Sequence, residues 1–368
     1  MKICCFCEIW GTGGIESFLL STLEHMDRSD LEIDIVVEKK ISDLYLSRVE
    51  AMGLGFKILS GNTRKVFNNL VAFQALLQER KYDIVYLNIY QALSMLYARA
   101  AKLAGVPTCI AHAHGSGLRP SITRQLKLFL HKVSKNMLSG NITQFWACSG
   151  KAAAFMFPKR TSYQFIPNGI IIDRFIFNSA VREKTRLELG LQNCYVIGSV
   201  GRLSSEKNQT FLLDILMFLK KKCPEAVLLL VGEGEERTRL EAKAKRLGLS
   251  DKVLFYGVSE NIPHLLWTMD VLAIPSFVEG FGIVAIEAQA AGLPVFCSSG
   301  VPPEAGPTEL VRFLSLDAGA EVWADHIWAS QGQGVVRIKT SETLKCAGFD
   351  IVSTANTIRS LFTTGESI

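Results

Sequence analysis

The chain has 368 residues, 48% hydrophobic and 20% charged, which describes an ordinary globular protein on the apolar side, long enough that two domains are the natural expectation. A formal net charge of +5 is too mild a basic excess to argue for nucleic acid, and it suits anionic ligands or an anionic membrane surface. The nine cysteines are an odd number without metal or disulfide spacing, which reads as reduced thiols in a cytosolic protein. No apolar h-region or cleavage site follows Met1, and no apolar stretch approaches the roughly 20 residues that span a bilayer. The expected location is the cytoplasm, with peripheral contact to the inner face of a membrane left open.

The chain opens on a short apolar strand, 2–7, followed by Trp10-Gly11-Thr12-Gly13-Gly14-Ile15-Glu16 and an amphipathic helix to about Met26. Strand, glycine loop and helix is an arrangement that cradles phosphate, because glycines let backbone N–H groups approach an anion at a helix start. The spacing is not that of the dinucleotide G-x-G-x-x-G, and a glycine turn without a ligand is the plainer reading. Strands are expected at 33–37, 56–59, 84–87 and 108–111, alternating with helices near 42–52, 64–78 and 92–104. That is a βαβ series, hence a mostly parallel sheet.

His112 and His114 follow the strand at 108. We expect them to point to opposite faces, one packed and one free at the strand's end, and so not to chelate one metal. The stretch 119–140 carries Arg119, Arg124, Lys127, Lys132 and Lys135, with Leu126, Phe129, Leu130, Val133 and Met137 at helical spacing. Such a helix either packs its stripe inward with its charges solvated or lies on anionic lipid. A short strand at 145–148 and another from Tyr163 lead to the turn Pro167-Asn168-Gly169, and the polar run 178–193 reads as a hinge into a second domain.

A buried strand at 195–200 then runs into Gly201-Arg202-Leu203-Ser204-Ser205-Glu206-Lys207-Asn208 and a helix from about Gln209. Two cations between a strand's carboxyl end and a helix are suited to neutralising a diphosphate, Arg202 as a planar fork and Lys207 as a point charge. A solvated loop is the alternative. Strands at 227–231 and 252–256 precede the apolar run 271–274, which ends at Pro275-Ser276-Phe277-Val278-Glu279-Gly280-Phe281-Gly282 and a helix from Ile283 to about Ala291. Glu287 is the only charge in that helix, and an unpaired buried carboxylate is expensive. A vicinal diol such as a ribose supplies the hydrogen bonds it needs, and a distant base is the other solution. Glu279 precedes a turn whose N–H groups suit an anion or hydroxyls, or it is a solvated loop acid. A strand at 295–297, a proline-rich loop at 301–308, and helices at 318–329 and 350–362 complete the chain.

Glu279 and Glu287 with the glycines between them resemble the E-x7-E motif of retaining GT-B glycosyltransferases, notably family 4. Gly-Arg-Leu-x-x-x-Lys-Asn at 201–208, Ile-Pro-Asn-Gly-Ile at 166–170 and the Gly-Gly-x-Glu loop at 13–16 are similar to that family's motifs as well. The resemblance spans nearly the whole chain, weakens after about Val311, and is closest in layout to bacterial enzymes of capsule and exopolysaccharide assembly. It implies an α/β fold of GT-B architecture, two Rossmann-like parallel-sheet domains facing a central cleft. Residues 1–178 would be the acceptor-side domain, with a C-terminal helix at about 350–366 packing back on it, and 179–349 the nucleotide-sugar domain. It also implies transfer of a sugar, with retention, from a nucleotide diphosphate sugar (a UDP-sugar) to the hydroxyl of a sugar or lipid-linked acceptor.

In that likeness Arg202 and Lys207 stabilise the departing diphosphate, Glu279 orients the donor sugar, and Glu287 holds the ribose. Gly13, Gly14, Gly280, Phe281, Gly282 and Ile283 line the donor, and His114 faces the reaction centre with His112 in reserve. Asn168 and Gly169 border the acceptor side. Asn88 stands where many relatives have histidine, which puts that position's role in doubt. The chain has no Asp-x-Asp, so neither metal nor cofactor is expected, and no nucleic-acid partner. If the acceptor is lipid-linked, 119–140 is where membrane contact is expected. A GT-B epimerase or a non-catalytic sugar-nucleotide-binding subunit are the alternatives.

Overall fold

The computed structural model describes residues 1–11, 13–118, 124–333 and 337–364. The chain divides into two units, Met1–Gly169 with Asp350–Ile368, and Ile170–Phe349. Seven strands belong to the first: β1 (Lys2–Trp10), β2 (Glu32–Lys40), β3 (Gly55–Ile58), β4 (Ile84–Ile89), β5 (Thr108–Ala113), β6 (Gln144–Ala147) and β7 (Gln164–Phe165). Six belong to the second: β8 (Tyr195–Val200), β9 (Ala226–Val231), β10 (Val253–Gly257), β11 (Val271–Ile274), β12 (Val295–Ser298) and β13 (Val311–Leu314). The sheets run β3-β2-β1-β4-β5-β6-β7 and β10-β9-β8-β11-β12-β13, with every pairing between these strands parallel. Both units are Rossmann-like.

Parallel strands covered on both faces read as unbroken apolar runs, and β1 shows why. Cys5 and Cys7 join the core formed with the helices Gly14–His25 and Ile351–Thr364. On the other face Phe6 packs on Tyr97 with ring centroids 4.1 Å apart and on Phe73 at 5.5 Å. The buried thiols act as small apolar groups, and burial pushes those of Cys4, Cys5 and Cys7 well up.

The last helix, Ile351–Thr364, completes the first unit. Ala355, Ile358, Leu361 and Phe362 enter its core, and the Phe362 ring lies against Trp146 at 5.8 Å and Tyr86 at 5.4 Å. A side chain at Gly169 would come within 2.8 Å of Ile351 Cα and 3.0 Å of the Asp350 carbonyl oxygen. The glycine is thus what allows the start of this helix to seat.

The polar run expected to be a hinge is instead a helix, Ser179–Glu188, started by the Asn178 side chain, which accepts from the Val181 N–H at 3.1 Å. Its arginines point inward. Arg182 bonds Asp270 at 2.6 Å and the Met269 carbonyl at 2.9 Å, and Arg186 reaches Asp270 at 3.3 Å and the Leu191 carbonyl at 2.9 Å. Asp270 also accepts the Val196 N–H at 2.7 Å. The segment therefore belongs to the second unit, and the division falls at Gly169/Ile170, not at Asn178.

Two other features depart from the sequence reading. Val311–Leu314 is an edge strand, β13, hidden because it is short and its two middle residues, Arg312 and Phe313, are exposed. The basic helix runs over Arg124–Leu138 with Leu126, Phe129, Leu130, Val133 and Met137 exposed, so the stripe does not pack inward. Arg119 lies outside the described residues. Among those described, no helix is long and apolar enough to cross a membrane.

Removing one partner of a buried ion pair strands the other. Asp270→Ala leaves two inward arginines without their carboxylate, and a loss of roughly 3 kcal/mol is expected. Urea unfolding followed by tryptophan fluorescence measures it; a change within the error of the melt contradicts this account of the helix.

Candidate active site

In an open parallel sheet the crevice for a ligand forms where the strand order reverses, at the carboxyl ends of the strands. In the second unit the reversal lies between β8 and β11. The loops leaving these strands are 201–208 and 275–282, which carry the expected site residues Arg202, Lys207, Glu279, Gly280, Phe281 and Gly282.

These loops are laced together by polar bonds. Lys207 Nζ pairs with the Glu279 carboxylate, whose Oε1 also accepts the Ser276 hydroxyl at 3.1 Å. The Phe277 N–H reaches the Glu206 carbonyl at 2.8 Å, and Asn208 Nδ2 the Pro275 carbonyl at 3.1 Å. From the loop after β12, the Gly300 carbonyl accepts the Glu279 N–H at 3.3 Å, and the Ser298 hydroxyl donates to the Ser276 carbonyl. Glu279 is buried, as a carboxylate can be when paired and hydrogen-bonded. Arg202 is exposed, and among the described residues its guanidinium has no ion pair or hydrogen bond. One cation of the loop is thus held against an acid while the other is unspent.

The helix Ile283–Ala290 starts from Gly282 at φ +89°, a left-handed conformation that strains any side chain. A Cβ there would also stand 3.2 Å from Val301 Cγ1. Phe281 turns inward on Phe349, centroids 5.6 Å apart, and Gly280 and the first helical residue Ile283 are half-buried. Glu287, one turn into the helix, is partly buried and makes no side-chain hydrogen bond or ion pair among the described residues. Burial pushes its carboxyl up to about 7, against the opposing pull of the Arg174 charge. Arg174 itself donates to the Glu260 carbonyl at 3.0 Å. It lies four residues beyond the Ile-Pro-Asn-Gly-Ile motif at 166–170.

In the first unit the strand order reverses between β1 and β4. After β1, the Gly11 N–H donates to Glu16 Oε1 at 2.8 Å, and Gly13 precedes the helix Gly14–His25 in extended conformation. A side chain at Gly13 would come within 2.6 Å of Glu16 Oε2, whereas one at Gly14 would meet nothing within 4 Å. Glu16 is therefore the residue that shapes this loop, and its place in the Gly-Gly-x-Glu pattern is the signal for it. Thr12 lies outside the described residues.

His112 and His114 do not point to opposite faces. Residues two apart on a strand share a face, and the two rings lie 4.1 Å apart, each 5.3 Å from the Phe18 ring. His112 is fully buried with Nδ1 2.7 Å from the Tyr86 hydroxyl, and burial holds its pKa well below the usual range. His114 Nε2 donates to Asn88 Oδ1 at 3.1 Å, and burial takes its pKa down to about 3. His114 is thus a neutral imidazole in a fixed tautomer, and Asn88 is what fixes it. Among the described residues no group of three or more His, Cys, Asp or Glu is placed to hold a metal ion.

Asn168 is buried beside Gly169, and its Oδ1 has no hydrogen-bond partner among the described residues. Near the carboxyl ends of β1 and β2, Glu8 and Glu38 are both buried. Gln91 Nε2 donates to Glu8 at 2.9 Å, as does the Ser94 hydroxyl, and the Tyr97 hydroxyl donates to Glu38 at 2.6 Å. Neither acid was singled out from the sequence, where each reads as one polar residue at the end of an apolar strand.

Comparison with known proteins gives the family of both halves of the chain. Residues 181–310 match the family model described as glycosyl transferases group 1, and residues 12–174 that described as glycosyltransferase family 4. The chain is 28% identical over 348 residues to EpsF of Bacillus subtilis (strain 168), whose name assigns it to the glycosyltransferases and to no substrate; the match covers 92% of this chain and 90% of EpsF. It is 26% identical to an Escherichia coli UDP-Gal:α-D-GlcNAc-diphosphoundecaprenol α-1,3-galactosyltransferase, over 78% of this chain and 76% of that one. Among solved structures, Anabaena HepE in complex with UDP-glucose superposes with a TM-score of 0.81 at 22% identity, over 99% of this chain and all of the other. That likeness establishes the GT-B fold.

The Glu38 carboxyl is raised from an ordinary value near 4.5 to about 7, burial outweighing the Tyr97 hydrogen bond, with Glu8 adding to the rise. The folded state then binds a proton that the unfolded chain releases, so stability should fall as pH rises from about 4.5 to about 7. Glu38→Gln should flatten that slope in thermal melts taken across this window. An unchanged slope refutes it.

Proposed function

Because the chain belongs to glycosyltransferase family 4, we propose that it is a retaining glycosyltransferase that moves a sugar from a UDP-sugar to the hydroxyl of a lipid-linked saccharide, in capsule or exopolysaccharide assembly. The observation that carries this reading is the pairing of Lys207 with Glu279 across the β8/β11 switch point, beside an unspent Arg202. A diphosphate arriving there meets Arg202 directly and competes with Glu279 for Lys207. The E. coli relative, whose name specifies UDP-galactose and a diphosphoundecaprenol acceptor, supports the donor and acceptor classes.

The bond that breaks joins the anomeric carbon to the β-phosphate oxygen, and the one that forms joins that carbon to the acceptor oxygen. The charge that develops on the departing diphosphate is the main electrostatic demand of the step, and Arg202 and Lys207 meet it. The leaving phosphate oxygen takes up the acceptor's proton on the same face of the sugar, which retains the anomeric configuration. No paired acid and base of the glycosidase kind is required. His114, neutral and fixed by Asn88, offers a hydrogen bond and no proton reservoir. Glu279 orients the sugar hydroxyls, and Glu287 accepts the ribose hydroxyls.

The test is UDP release from UDP-sugars, read with wild type and Lys207→Ala, together with the anomeric configuration of the product by NMR. Slow release that falls at least about 100-fold in the variant, with an α-linked product from an α-linked donor, is expected. UDP-sugar binding with no turnover on any lipid-linked acceptor would sink the catalytic reading.

Two further outcomes separate the acids. Glu287→Ala should raise the donor Kd roughly tenfold or more with a smaller change in the rate at saturation, whereas Glu279→Ala should act mainly on the rate. Because free Glu287 titrates at about 7, donor affinity should also weaken as pH falls below 7, and Glu287→Gln should remove that dependence. Isothermal titration across pH reads the affinities, and UDP release at saturating donor reads the rates.

A further inference from the structure

The helix Arg124–Leu138 is mounted with its polar side toward the protein. On the inner side His131 accepts the Ala92 N–H at 3.2 Å through Nδ1 and donates through Nε2 to the Phe155 carbonyl at 2.9 Å, its ring stacked on Phe155 with centroids 4.0 Å apart. Lys135 donates to the carbonyls of Ala154 and Phe155 at 3.1 and 3.0 Å. Leu138 is the one buried apolar side chain on the helix.

The outer side carries Leu126, Phe129, Leu130 and Met137, which are 60%, 64%, 54% and 74% exposed, and Val133 between them. At 3.6 residues per turn these five positions form one stripe. An amphipathic helix of a soluble domain buries such a stripe. Here the polar groups are used as the anchor and the apolar ones are presented to the outside.

Charge identifies what covers them. Residues 124–138 contain no Asp or Glu, and the exposed cations Arg124, Lys127 and Lys132 remain after Lys135 is spent on carbonyls. Lys127 and Lys132 flank the stripe on either side, so their stems can run along the apolar residues while their ammonium groups reach outward. A protein partner would have to present an apolar groove with acidic rims. A bilayer of anionic lipid presents that combination everywhere: acyl chains for the stripe and phosphates for the lysines.

We propose that the stripe Leu126–Phe129–Leu130–Val133–Met137 is a membrane-docking surface that lies in the headgroup layer of an anionic bilayer. The helix is parallel to the membrane and does not cross it. It leads from the carboxyl end of β5, where His114 stands, so docking sets the first unit's switch-point edge beside the membrane. The proposal rests on the helix alone and stands even if the acceptor is not lipid-linked.

Cosedimentation of the full chain with vesicles tests it, comparing phosphatidylcholine alone with phosphatidylcholine mixed with phosphatidylglycerol. Wild type should bind the anionic vesicles roughly tenfold or more tightly, with an affinity that falls on adding salt. F129S/M137S and K127Q/K132Q should each lose roughly tenfold or more of that binding. UDP release without acceptor and the thermal midpoint should stay at wild-type values, which shows that the fold is intact. Equal partition to both vesicle types, or unchanged binding by F129S/M137S, overturns the proposal. So does a wild-type dimer that F129S/M137S converts to monomer, since a second copy would then be the occupant.

Discussion

Parallel strands cannot be joined by tight turns, and this constraint governs the placement of every functional residue here. Each strand must return through a helix to start again at the same end, so all loops that leave carboxyl ends gather along one edge of each sheet. The only place on that edge where two consecutive connections diverge is the reversal of strand order, at β1/β4 in the first unit and β8/β11 in the second. The glycine loop with Glu16 and the Lys207–Glu279 pair occupy these two places, where the topology opens a crevice.

The acids of the molecule divide by how their burial is offset. Asp270 faces two arginines and Glu279 faces a lysine and a hydroxyl, and both are structural knots as well as charges. Glu8 and Glu38 have only neutral donors, and burial raises the pKa of each. Glu287 has no donor among the described residues. A carboxylate left in that state costs stability, and the cost is recovered when a ligand supplies hydroxyls. The helix that carries it is short, starts from a glycine in left-handed conformation and is otherwise apolar, so no residue on the helix competes for the acid.

Much of this was legible in the sequence, for identifiable reasons. The central strands of both sheets show as apolar runs because each is covered on two sides, and the loops 201–208 and 275–282 show because cations and acids interrupt such runs at their carboxyl ends. The helix Ser179–Glu188 was not legible, since inward arginines bound to one distant aspartate look in sequence like a solvated linker. The shared face of His112 and His114 follows directly from strand geometry, in which residues two apart point the same way. Glu8 and Glu38 escaped because their partners Ser94 and Tyr97 come from another segment. The orientation of the helix Arg124–Leu138 could not be read at all: periodicity gives a stripe and leaves open which way it faces, and His131 decides that through bonds to Ala92 and Phe155.

The last helix carries one more consequence. Its Ile358, Leu361 and Phe362 fill the space against Tyr86 and Trp146, so the core of the first unit is open until this helix has been made. The second unit, Ile170–Phe349, is contiguous and has all its residues earlier. During synthesis the order of completion is therefore the reverse of the order of strands. The unit begun first is the one that closes last, and a chain truncated by one helix loses part of the core at its amino terminus.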